Sequence, residues 1–136
     1  MIAALICVVS MAALFQFCIS YCRSVLAASR RIALSEQVRE IAGITTPTVS
    51  ADDFARLRQL VQLCPERGDD RTEISAVGKY YALLNVLHSV AQRMIPSVAE
   101  WAQRERRNCS YFIAVVLDRR IAYSRDLLAQ QLADAS

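Results

Sequence analysis

The sequence predicts an all-α protein in which a single N-terminal transmembrane helix is followed by a small soluble helical bundle of three to four helices. Two observations carry this prediction: an uncharged apolar run at residues 2–22, and apolar residues that recur at helical spacing through the rest of the chain. No segment shows the alternation of apolar and polar residues that is typical of a strand. The predicted organisation is a transmembrane helix at 1–22, a juxtamembrane helical extension at 23–43, a linker at 44–50 and the soluble bundle at 51–136.

The apolar run has the length that a membrane span requires. As a helix it is roughly 31 Å long, and the hydrocarbon core of a bilayer is ~30 Å thick. A cleaved signal peptide begins with a positive n-region and has a shorter apolar core, whereas here the run starts directly after Met1. The sequence therefore favours an uncleaved anchor over a signal peptide.

Basic residues lie on one side of the run only. Arg23, Arg30 and Arg31 follow it, and only the α-amine precedes it. The positive-inside rule then predicts a single-pass membrane protein with its N-terminus outside and its C-terminal domain in the cytoplasm.

The juxtamembrane extension contains neither Pro nor Gly before Gly43, which is a natural C-terminal stop. We therefore expect the transmembrane helix to continue to about residue 42 as one rod, with a break near Ser29 as the alternative. The linker contains β-branched residues and Pro47, so it is expected to be extended.

The bundle is expected to begin with a helix capped by Ser50 and ended by Pro65. A second helix is predicted from about 71 to 94, with Asp70 as its capping residue and Glu73 completing a capping box. Its apolar stripe is unusually wide, which suggests a central helix that touches neighbours on more than one side. One set of stripe residues is Ala76, Tyr80, Leu83, Leu87, Val90 and Met94, and this set is widened by Val77, Leu84 and Ala91.

Two further helices are predicted after Pro96. The first covers residues 97–107, and the chain is expected to restart at Asn108 or Ser110 into a last helix at about 111–133. From the apolar stripe of the preceding helix, Leu87 is expected to be buried in the core.

The residues that could support chemistry are few, and the prediction is a protein that is not an enzyme. His88 is the only histidine and has no Cys or carboxylate pattern around it, so a zinc or di-iron site is not expected. Capping explains the acidic cluster of Asp69, Asp70 and Glu73 better than a calcium loop does. There is no glycine-rich phosphate loop and no GxSxG motif. No cofactor and no metal are predicted.

Charge and cysteine content exclude two further classes. The net charge is +3, from 16 basic and 13 acidic residues, and no concentrated basic face points to nucleic acid as a partner. The five cysteines show no CxxC spacing. Free or buried thiols are favoured, with a Cys64–Cys109 disulfide as the alternative in an oxidising compartment.

The expected partners are other membrane protein subunits and membrane lipid. A polar side chain such as Gln16 inside an apolar run favours a protein neighbour over lipid, and small residues beside it allow a helix to approach closely. The residues expected to contact a partner's transmembrane helix are Ala12, Ala13, Gln16 and Ser20. The arginines expected to contact lipid headgroups or an acidic partner face are Arg23, Arg30, Arg31, Arg104, Arg106 and Arg107. For the later clusters, which also include Arg119, Arg120 and Arg125, a solvated face is an equal alternative.

By elimination, the sequence favours a non-catalytic accessory or structural subunit of a larger membrane complex. A membrane-tethered signalling or adaptor module that binds a soluble partner is the alternative. A third and weaker alternative is a protein whose domain lies outside the cytoplasm.

Overall fold

A computed structural model describes residues 1–43 and 50–136, and all regular structure in these two ranges is helical. The predicted all-α fold, a long apolar N-terminal helix followed by a helical domain, is confirmed. The helices are α1 (Ile2–Ser29), α2 (Glu36–Ala42), α3 (Phe54–Leu63, preceded by a 3-10 turn at Ala51–Asp53), α4 (Arg71–Met94) and α5 (Pro96–Ala135). The predicted linker lies almost wholly outside the described residues.

Helix α1 ends at Ser29 and α2 begins at Glu36, so the expected continuous helix to residue 42 is wrong and the alternative, a break near Ser29, is found. Ser35 restarts the helix because its hydroxyl accepts from the backbone N–H of Val38 and donates to Asp118 at 2.8 Å. The Tyr111 hydroxyl also donates to the carbonyl of Ile32, which holds the intervening turn against α5. Gly43 ends α2 in the left-handed region at φ 65°, as predicted.

The start and end of α3 follow the sequence signals. Ser50 and Asp53 form a reciprocal capping box, and the helix ends at Leu63 two residues before Pro65. Its buried face is Phe54, Leu57 and Val61, which packs against α5.

The bounds of α4 are those predicted, but its buried face is rotated from the expected one. Val77, Tyr80, Leu84 and Ala91 are buried, whereas Leu87 is only half-buried. Leu87 still packs against the hydrophobic core, so the prediction that it is buried is confirmed only in part. Three of the four buried residues, Val77, Leu84 and Ala91, belong to the set that widens the apolar stripe, and only Tyr80 belongs to the main set.

A single helix of 40 residues, α5, replaces the two helices predicted after Pro96. The expected restart at Asn108 or Ser110 is wrong because both side chains find partners inside the helix or across it. Asn108 donates to Glu105, and the Ser110 hydroxyl donates to the Ala51 carbonyl at 3.2 Å. Between Cys109 and Leu117 every residue except Tyr111 is buried, so α5 rather than α4 is the central helix.

Candidate interaction surfaces

Most of α1 projects from the domain. All of its side chains from Ile2 to Cys18 are exposed, and Cys22, Leu26 and Ser29 are the buried ones at its other end. Among the described residues, α1 is the one helix long and apolar enough to cross a bilayer. Large apolar side chains on it, such as Leu14 at 65% and Phe17 at 70% exposure, are not covered by the rest of the described chain.

The predicted transmembrane contact residues all lie on the exposed part of α1. Gln16 precedes Cys22 by six positions, and at ~100° per residue it is therefore turned about 120° from the side that packs on the domain. Ala12, Ala13 and Ser20 lie one turn away from Gln16 along the same side of the helix. This face is consequently free of the protein's own domain.

A second uncovered apolar surface lies on α4. Leu83, Val86, Val90 and Met94 follow one another at helical spacing, and they are 38%, 63%, 56% and 77% exposed. We call these four residues the α4 stripe. Ile95, the residue that ends α4, is also exposed, at 52%.

The predicted arginine surface divides into free and occupied side chains. Arg23, Arg30, Arg31, Arg104 and Arg107 are exposed. Arg106 is held within the domain, since it donates to Gln103 at 2.6 Å, lies 3.5 Å from Asp52 and stacks over the ring of Tyr81.

Arg120 belongs to the core rather than to a surface cluster. Its guanidinium forms two hydrogen bonds to Asp70, at 2.8 and 3.0 Å, and a third to the carbonyl of Val61 at 3.0 Å. Both charged side chains are 5% exposed. The hydrogen bonds to Asp70 raise the pKa of Arg120, against the opposing effect of burial. Asp70 is the N-terminal residue before α4 but its side chain makes no capping bond, so the predicted capping box with Glu73 is wrong.

A buried polar group that the sequence did not reveal is Glu105 on α5. It accepts from the Tyr80 hydroxyl at 3.0 Å and from Asn108 at 3.4 Å. Burial, and next the charge of Glu105, raise the pKa of Tyr80. The same two causes raise the pKa of the Cys109 thiol. Such a thiol stays protonated at neutral pH and is a poor nucleophile.

The cysteines are all free, which agrees with the favoured interpretation. Cys64 lies three residues after Val61, and the carbonyl of Val61 accepts a hydrogen bond from Arg120. Cys64 is therefore close to Arg120, which lies about 16 Å along α5 from Cys109. A disulfide needs Cα atoms within about 7 Å, so the alternative Cys64–Cys109 bridge does not fit this fold.

His88 lies on the rim of a polar cleft of about 570 Å³ between α4 and α5, where Gln92, Glu100, Arg104 and Arg107 are also found. Its Nδ1 is 3.1 Å from the carbonyl oxygen of Ala99, so that nitrogen donates a hydrogen bond to the backbone.

Tyr81, which shares a helix face with His88, donates a hydrogen bond to the carbonyl of Ala51, and its ring stacks on Phe54 with 3.9 Å between the ring centroids. These bonds give both side chains a structural role.

Within residues 1–43 and 50–136 no cluster of three or more His, Cys, Asp or Glu is arranged to hold a metal ion. The described residues leave several surfaces uncovered, namely the exposed face of α1, the α4 stripe and the clefts beside them. Comparison of the chain with protein-family models, with curated proteins and with solved structures finds no match.

Proposed function

We propose that this protein is a non-catalytic accessory or structural subunit of a larger membrane protein complex. In this proposal α1 is the membrane anchor, and the helical domain lies in the cytoplasm and contacts partner subunits. The observation that carries the proposal is the exposed apolar surface of α1 outside the domain.

The magnitude of that surface supports burial in a bilayer. Burying one large apolar side chain contributes about 1.5–3 kcal/mol. The exposed large apolar residues of α1 are Ile2, Leu5, Ile6, Val8, Val9, Met11, Leu14, Phe15 and Phe17. Together they amount to roughly 14–27 kcal/mol, which equals or exceeds the ~5–15 kcal/mol net stability of an ordinary domain. A helix of this kind therefore requires an apolar environment that the described residues do not supply.

The subunit role is supported by Gln16 and by the α4 stripe. Lipid covers an apolar helix but does not hydrogen-bond the Gln16 amide, whereas a neighbouring helix does. The α4 stripe adds exposed apolar surface on the domain, and contiguous patches of this kind mark interaction sites.

Gentle detergent extraction of the tagged full chain, followed by affinity purification, tests the subunit role. We expect a fixed set of co-purifying membrane proteins in stoichiometric amounts. A lone monomer or homodimer would instead favour a membrane-tethered adaptor module, for which the polar cleft around His88 is the specific observation.

Replacing Gln16 with leucine tests the transmembrane contact. A polar side chain bonded across helices contributes ~0.6–2 kcal/mol, so Gln16→Leu should weaken co-purification while membrane insertion is unchanged or improved. Leu14→Ile is the matched control, because it changes an exposed apolar residue nearby without changing polarity. If Gln16→Leu leaves every association as it was, α1 is only an anchor.

The orientation has its own test. A reporter that is active only in the cytoplasm should work when it is fused after Ser136, because the basic flank of α1 lies on the domain side. Activity of an extracytoplasmic reporter at the same position would reverse the topology.

A further inference from the structure

A cleft of about 610 Å³ opens between α1 and α4 at the level where α1 leaves the domain. On α1 the side chains are exposed up to Cys18, Ile19 is half-buried and Cys22 is the first to be buried. The Sγ atom of Cys22 lies 3.8 Å from the carbonyl oxygen of Ala76, which joins the two helices beside the cleft. The cleft therefore lies where the anchor meets the domain.

The two walls of the cleft differ in chemistry. The α1 wall is apolar and includes Phe15, Phe17 and Ile19. The α4 wall carries two cations, Arg71 and Lys79, with the hydroxyls of Thr72 and Ser75 between them and Leu83 beyond. None of the described residues that line the cleft is acidic. In the part of the chain that the structure describes, neither Arg71 nor Lys79 forms an ion pair.

We propose that this cleft binds one anionic glycerophospholipid of the membrane in which α1 is anchored. Arg71 and Lys79 hold the phosphate, and the apolar wall of α1 together with Leu83 contacts the upper part of an acyl chain. The inference rests on the membrane anchoring proposed above, but not on the subunit role.

The pairing of walls favours a lipid over a free anion. A soluble phosphate gains from the two cations alone and makes no contact with the apolar wall of α1, whereas a phospholipid contacts both walls. The volume lies within the ~300–1,000 Å³ that is usual for small-molecule sites. If the span is residues 2–22, Phe17 lies in its domain-side third and Phe15 at the border of that third. Long cationic side chains at this depth reach the headgroup region, which is the position that Arg71 and Lys79 require.

Native mass spectrometry of the full chain, released from nanodiscs of phosphatidylcholine with a minor fraction of phosphatidylglycerol, tests the proposal. We expect one phosphatidylglycerol retained per chain in preference to phosphatidylcholine. A cation near an anionic lipid changes its affinity by about fivefold, so Arg71→Gln with Lys79→Gln should lower retention by roughly 30-fold. Arg93→Gln is the matched control, because Arg93 is exposed on the same helix but does not line the cleft.

The proposal is overturned by equal retention in the double variant and the wild type, or by an equal loss with Arg93→Gln. It is also overturned if millimolar glycerol phosphate displaces the lipid, or if a second copy of the chain occupies the cleft, which a cross-link from residue 83 would detect. Leu83→Trp, which fills the cleft without changing its charge, should also reduce retention. Insertion into the nanodisc is scored separately. A chain that does not insert contradicts the membrane anchor, whereas a chain that inserts without selecting the anionic lipid contradicts only the lipid site.

Discussion

The buried pair of Asp70 and Arg120 should be the most sensitive polar contact in the domain. It joins the start of α4 to the centre of α5, and the third hydrogen bond of Arg120, to Val61, connects the same group to α3. Arg120→Met keeps much of the side-chain volume and removes the charge. The Val61 carbonyl still accepts from the backbone N–H of Cys64, so the main cost is an unpaired, buried Asp70 carboxylate.

Removing one partner of a buried ion pair costs about 3–5 kcal/mol. At ~2–8 °C per kcal/mol for domains of this size range, Arg120→Met should lower the melting temperature by roughly 6–40 °C. Replacing both partners with apolar residues, as in Asp70→Leu with Arg120→Met, should recover much of that loss, because no charge is then left buried.

The assay is thermal and urea unfolding of the full chain in detergent micelles, followed by far-UV circular dichroism. Arg119→Met is the matched control, since Arg119 is the exposed neighbour, and it should change stability by less than about 0.5 kcal/mol. The reasoning fails if the Arg119 and Arg120 variants melt together. It also fails if the double variant is as unstable as Arg120→Met alone.

Three further predictions use the same unfolding assay. Leu84→Ala should cost about 2–5 kcal/mol because Leu84 is 1% exposed, whereas Val90→Ala, at an exposed position, should cost well under 1 kcal/mol; equal losses would contradict the packing of α4. Ser35→Ala should cost about 1 kcal/mol or more, since it removes the cap of α2 and the bond to Asp118, and Ser35→Thr should retain most of both; a silent Ser35→Ala would contradict this account of the break in the rod. Because burial raises the pKa of Tyr80 in the folded state, its contribution is complete below the unfolded pKa of about 10 and is lost as pH rises above it, so Tyr80→Phe should flatten the alkaline fall in stability; an unchanged slope would refute this.

Local signals predicted the elements that depend on local chemistry. Ser50 begins the helical segment that leads into α3, Pro65 follows its end, and Gly43 ends α2 in the left-handed region, each as the sequence indicates. These signals work because a cap or a stop is decided by bonds within a few residues. The break after Ser29 is less local, since the Ser35 cap is fixed by Asp118 on another helix.

The failures share one cause, which is contact between distant parts of the chain. Asp70 resembles an ordinary cap until Arg120, fifty positions later, takes both of its carboxylate oxygens. Ser110 resembles a helix boundary in the sequence, but in the structure its hydroxyl donates a hydrogen bond to the Ala51 carbonyl. Lys79, the only lysine, carried no signal in the sequence, and its position in a cleft depends on where α1 crosses α4.

The two uncovered apolar surfaces lie on different sides of the molecule, and this limits how a partner can bind. Leu83 and Val90 follow Ala76 at seven-residue steps, so they continue the face of α4 that α1 contacts through Cys22. Gln16 is turned about 120° from Cys22, away from that contact. One straight partner helix therefore cannot lie along the Gln16 face and the α4 stripe together. A complex that covers both requires two separate contacts, one within the bilayer and one on the domain, and cross-linking from positions 16 and 90 should identify different partner segments. The same segment at both positions would mean that α1 adopts another angle to the domain within the complex.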